Sequence, residues 1–145
     1  MRWTVAITAA VFAATSAFAS DPGDVGQIKT VRGTVHVERG AQRLAATPGM
    51  NIRQSDSLVT GADGAVGVTF LDNSLLSLGP TSTLVIDRYN FNSTTHAGQF
   101  DASLKKGTLA VVSGRMVKQS PDAMRVRTPS SVMGVRGTEF AVKVD

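Results

Sequence analysis

The chain has no cysteine. That absence excludes disulfides, iron–sulfur clusters, thiolate zinc sites, a cysteine nucleophile and lipid attachment through an N-terminal cysteine. Histidine is nearly as scarce: His36 and His96 lie far apart and have no neighbours at metal-ligand spacing. No H-E-x-x-H, EF-hand, G-x-S-x-G, phosphate-loop or dinucleotide pattern occurs. Charged residues make up 18% of the chain, below the globular average of about 25%, so it is no disordered polyelectrolyte. These absences argue against an enzyme, a metal site and any cofactor. A glycosidase-type pair of carboxylates is left open by sequence, but nothing nominates one.

What is present suits one domain of 145 residues, with 42% apolar residues for a core and 14 glycines for many turns. The first residues read as a targeting segment. Met1-Arg2 is a short positive start, Val5 to Ala14 is apolar apart from Thr8, and Ala17 and Ala19 form an A-x-A pair for signal peptidase. A membrane anchor is the alternative, but the run is rich in Ala, Thr and Ser and falls short of the roughly 20 strongly apolar residues of a stable span. Residues 1–19 are therefore read as a cleaved signal peptide and 20–145 as the domain. A periplasmic or secreted protein without stable membrane insertion is expected.

Hydrophobic periodicity in the remainder is two. Val31, Gly33, Val35 and Val37 alternate with Arg32, Thr34, His36 and Glu38 as one half-buried strand. Val66, Val68 and Phe70, then Leu75 to Leu78, Leu84 to Ile86, Leu109 to Val112 and Phe140 to Val144 give further strands. Turn chemistry separates them, as at Gly61 to Gly64, Asp72-Asn73, Lys106-Gly107 and Ser113-Gly114. No stretch of helical period stands out. The pattern predicts an all-β fold of short strands, a sandwich or roll, with β-helix-like coiling as an option between Ala65 and Ile86.

Charge is uneven. Ser20 to Phe100 holds six basic and seven acidic residues, whereas Asp101 to Asp145 holds eight basic and four acidic. A basic half can meet an anionic partner or be a solvated face without one. Lys105, Lys106, Lys118, Arg125 and Arg127 are the candidates for an anionic-partner surface. Nucleic acid is not expected of an exported chain.

The segment Thr128-Pro129-Ser130-Ser131-Val132-Met133-Gly134-Val135-Arg136-Gly137-Thr138-Glu139-Phe140 resembles the TP-x-A-x-x-GVRGT-x-F stretch that closes the FecR domain. Upstream, Gly33, Gly49, Asp56, Phe70 to Ser74, Gly79-Pro80 and Lys106-Gly107-Thr108 follow the same family order, so the resemblance runs from Gly26 to Val144. Asn73 stands where the family usually has Gly, a substitution that left-handed backbone tolerates, and Ser131 replaces an Ala. The family's best-known member is a transmembrane regulator of iron-citrate signalling. What this resemblance implies is its periplasmic domain, whose work is protein contact and sensing. Thr128, Pro129, Gly134, Val135, Arg136, Gly137, Thr138 and Phe140 are the motif residues it marks. The expectation is a non-enzymatic binding or regulatory module contacting an envelope protein or a peptidoglycan-like polymer. A structural subunit that completes a partner's sheet with its last strand is the alternative.

Within the motif, Gly134 and Gly137 read as sites of tight backbone packing. Arg136 is read either as paired with Asp56 or Asp72, or as a bidentate anion contact. Met116, Met124 and Met133 are taken as core fillers, and Tyr89-Asn90-Phe91 as hydrophobic cover for a sheet end. Asp63 and Asp72 read as turn residues.

Overall fold

The computed structural model describes residues 23–134 and 139–144. The chain is all-β, as the period of two requires, and forms one curled, almost wholly antiparallel sheet shaped like a half-barrel. Its strands are β1 (Asp24–Arg32), β2 (Val35–Arg39), β3 (Gln42–Ala45), β4 (Asn51–Arg53), β5 (Ser57–Thr60) and β6 (Ala65–Phe70). They continue with β7 (Leu75–Leu78), β8 (Thr83–Phe91), β9 (Gly98–Val112), β10 (Met124–Arg127), β11 (Val132–Gly134) and β12 (Glu139–Val144). A single helical turn, α1 (Arg115–Gln119), follows β9 and is too short to leave a readable helical period.

The strand order is β3-β2-β5-β8-β9-β7-β6-β1-β4, with β10 and β12 also on β9 and β11 on β10. β9 is 15 residues long and belongs to both halves of the curl. Its first part pairs with β8 and, in parallel, with β10; its second part pairs with β7 and β12. The passage between the two parts lies at Gly107, whose φ is +95°. Lys106-Gly107, expected as a turn, is thus a bend inside a continuing strand.

Two other expectations are corrected. Val31 to Glu38 is two strands, because Gly33 takes a φ of +61° and a Cβ there would lie 2.2 Å from the Asp63 carbonyl oxygen. Ala65 to Ile86 does not coil as a β-helix: β6 and β7 form an antiparallel hairpin. Its loop, Leu71-Asp72-Asn73, places Asn73 at φ +67°, the left-handed position of a three-residue hairpin.

Inward-facing residues alternate along β6 and, between irregularities, along β1, β8 and β9, and they meet in one core that includes Ile28, Val37, Ile52, Leu58, Leu84, Leu104 and Leu109, all 0% exposed. Met116 and Met124 are buried in it and Met133 packs against it, as core fillers should. An aromatic triad lies among them. Phe70 stacks on Tyr89 at 5.3 Å between ring centroids, and Phe100 meets both edge-on at 4.7 and 5.1 Å.

Candidate functional site

The alternation that buries Phe100, Ala102 and Leu104 on β9 turns Ser103 and Lys105 outward, and on β10 it buries Met124 and Val126 while exposing Arg125 and Arg127. The parallel register sets Arg125 opposite Asp101 and Arg127 opposite Ser103. Lys105, Arg125 and Arg127 therefore share one outer face on adjacent strands. Lys105 and Arg127 line a hollow of about 230 Å³ together with Ser103, Leu104, Thr128 and Pro129. Lys106 is exposed at the irregularity opposite Thr83. Lys118 is exposed on α1, outside the two strands that carry the others. Among the described residues none of these five side chains has an ion pair or a side-chain hydrogen bond, so their charge is directed to solvent.

Two acids border the row, Asp101 and Asp87. Asp101 is 8% exposed; Oδ2 accepts from Gln99 Nε2 at 3.3 Å, while Oδ1 has no hydrogen-bond partner. Asp87 on β8 is engaged by Ser103 Oγ. Ser103 lines the hollow, so the Asp87 carboxylate it engages lies beside Lys105 and Arg127.

The family-type motif divides into parts. Thr128 closes the β10–β11 turn: its N–H donates to the Ser131 carbonyl at 2.8 Å, and its Oγ1 accepts from Ser131 N–H at 3.1 Å. Pro129 is exposed beside it. Phe140 is half-buried on β12 and packs against the core. Gly134 departs from expectation: among the described residues a Cβ there meets nothing within 4 Å. Val135, Arg136, Gly137 and Thr138 lie outside the described residues.

Both acids proposed as partners of Arg136 have other partners. Asp56, 1% exposed, receives Arg39 Nε at 2.9 Å and Nη2 at 2.8 Å, a bidentate pair. It also accepts the Arg53 N–H at 2.9 Å. Asp72, 1% exposed, accepts from Tyr89 Oη at 3.0 Å, from Ser74 N–H and Oγ, and from Met116 N–H. Burial, reinforced by the Asp72 charge, pushes the Tyr89 phenol well above its ordinary range. The sequence reading saw Tyr89 as apolar cover and missed this network. The available signal was that a buried tyrosine hydroxyl needs a partner, and a D-N-S turn supplies one.

His36 is half-buried, with Nε2 3.5 Å from Glu38 Oε1, and His96 stacks on Phe91 in the loop after β8. Among the described residues no three His, Cys, Asp or Glu side chains group as metal ligands. No helix among them is long and apolar enough to cross a membrane.

In comparison with known proteins, the family model described as FecR protein matches residues 56–145. The match covers well over half the chain but begins later than the resemblance at Gly26. No curated protein and no solved structure matches.

Proposed function

Because the chain belongs to the FecR protein family, a family of regulatory and signalling domains, we propose that it acts in the periplasm by contact, as a non-enzymatic regulatory module. Its contact is an envelope protein or an anionic polymer such as peptidoglycan, met through the outer face of β9 and β10. The observation that carries this reading is the row Lys105, Arg125 and Arg127, exposed and without ion pairs among the described residues, of which Lys105 and Arg127 line a hollow with Ser103, Leu104, Thr128 and Pro129. Cations in this state keep their full charge for an incoming carboxylate or phosphate. Residues 1–19, read as a signal peptide, supply the route to that compartment.

The test is affinity for isolated peptidoglycan, or for a partner captured by crosslinking in cells, across a salt series. Exposed charge contacts are screened over about 8 Å at physiological ionic strength, so affinity falls steeply with salt, and Lys105→Ala with Lys106→Ala weakens it further. Salt-independent affinity that survives the double substitution would sink the electrostatic reading. It would favour the second one, a structural subunit that completes a partner's sheet. That alternative draws its support from β12, which has a strand neighbour on one side only among the described residues.

A further inference from the structure

Four strands have a neighbour on one side only among the described residues: β3, β4, β11 and β12. Three of them are three or four residues long, and so short an edge offers little to a second chain. β12 is six residues long and pairs with β9 from Glu139 to Val144 with no bulge or register shift. Phe140, Val142 and Val144 pack against the core, and Glu139, Ala141 and Lys143 face outward.

The outward row has opposite charges at equal distances from Ala141. Lay a second copy of β12 antiparallel beside the first, with the two-fold axis at Ala141. Glu139 then faces Lys143 of the second copy, twice over, and Phe140 faces Val142 on the core side. Moving the axis by one residue loses both pairs: centred on Phe140 it sets Glu139 against Ala141, and centred on Val142 it sets Lys143 against Ala141. Cross-strand opposite charges stabilise a pairing and like charges oppose it. The face behind the edge is equally accommodating. The register carries Ala141 across to Ala110, Ser77, Gly67 and Thr30, a row with no charge and no large side chain to overhang the edge.

We propose that β12 is the contact through which two copies of this chain pair, joining their sheets across a two-fold axis at Ala141. The proposal rests on the strand-completing reading above and names its partner as a second copy.

The chain has no cysteine, so Ala141→Cys introduces its only thiol. Under mild oxidation the full chain carrying Ala141→Cys forms a disulfide dimer, because residues facing each other across an antiparallel pair lie within disulfide reach. Ala110→Cys, one strand inward on the same face, does not. Sedimentation of the parent shows a concentration-dependent dimer. Glu139→Lys or Lys143→Glu replaces both opposite pairs by like-charged ones and weakens dimerisation about tenfold or more, and the double reversal restores it. A parent that stays monomeric, crosslinking no faster at Ala141→Cys than at Ala110→Cys, or a double reversal no better than its singles overturns the proposal. The parent and the Ala141→Cys variant carry the test even if a charge variant fails to fold. Hydrogen exchange at the alternate β12 amides that do not bond β9 separates this failure from that of the broader reading: fast exchange at them in a monomer leaves an open edge, whereas slow exchange at them removes the edge itself.

Discussion

Gly107 is the position where one added methyl group should cost most. Its φ is +95°, and a Cβ there would lie 2.0 Å from Ser82 Oγ and 2.5 Å from Ser82 Cα. Ser82 has no room to retreat. It is 0% exposed, its N–H donates to Thr60 Oγ1 at 2.9 Å, and its Oγ accepts from Thr108 N–H at 3.0 Å while donating to the Pro80 carbonyl at 3.1 Å. Gly107→Ala therefore meets about 1 kcal/mol for a side chain at positive φ. It meets about 2 kcal/mol more for displacing a packed backbone and its hydroxyl bonds. A loss of about 3 kcal/mol lowers the melting midpoint of a domain this size by about 10 °C. The assay is thermal melting followed by far-UV circular dichroism, against two controls. Gly134→Ala meets nothing within 4 Å among the described residues and stays within about 0.5 kcal/mol of the parent. Gly40→Ala has a φ of +59° with nothing within 4 Å, and isolates the conformational cost of about 1 kcal/mol. If Gly107→Ala melts with Gly40→Ala, β9 is not held against Ser82 as described.

Two predictions concern other parts of the chain. Tyr89 is the one tyrosine, so ultraviolet titration reports it alone. Its raised pKa means that the folded protein keeps the phenol proton while the unfolded chain releases it near pH 10. Stability is unaffected by this group below that pH and falls as pH rises above it, so phenolate absorbance should appear together with loss of the sheet spectrum. Phenolate forming in the intact fold at pH 10 would refute the buried Tyr89–Asp72 contact. Export is checked by N-terminal sequencing of protein from the envelope fraction, which should begin Ser20-Asp21-Pro22; an intact Met1 on membrane-bound protein would restore the anchor reading.

Local rules made much of the fold legible. Val66, Val68 and Phe70 point inward because a strand alternates, and Asn73 takes the left-handed turn position that its side chain tolerates. What escaped was decided by contacts distant in sequence. The break at Gly33 depends on Asp63, thirty residues on, whose backbone fills the space a side chain would need. Lys106-Gly107 has turn composition, yet the strand runs through it because β7, β8, β10 and β12 all pair with β9 around it. The candidate surface was half legible. Net charge singled out the segment from Asp101 onward, but only the parallel β9–β10 register shows that Lys105, Arg125 and Arg127 share a face.

The double membership of β9 also governs the order in which the chain can be completed. A chain emerging N-terminus first can pair β1 with β6 and β6 with β7, and β2 with β5 and β5 with β8, before Gly98 appears. At that stage β7 and β8 each wait with a bare edge, and one strand closes both. β10 and β12 then dock on the strand that has just arrived. Assembly is therefore gated late, by a segment two-thirds of the way along the chain, and pairings so distant in sequence form slowly. Until β9 arrives, the exposed edges of Leu75–Leu78 and Thr83–Phe91 are the surfaces that a holding chaperone would need to cover.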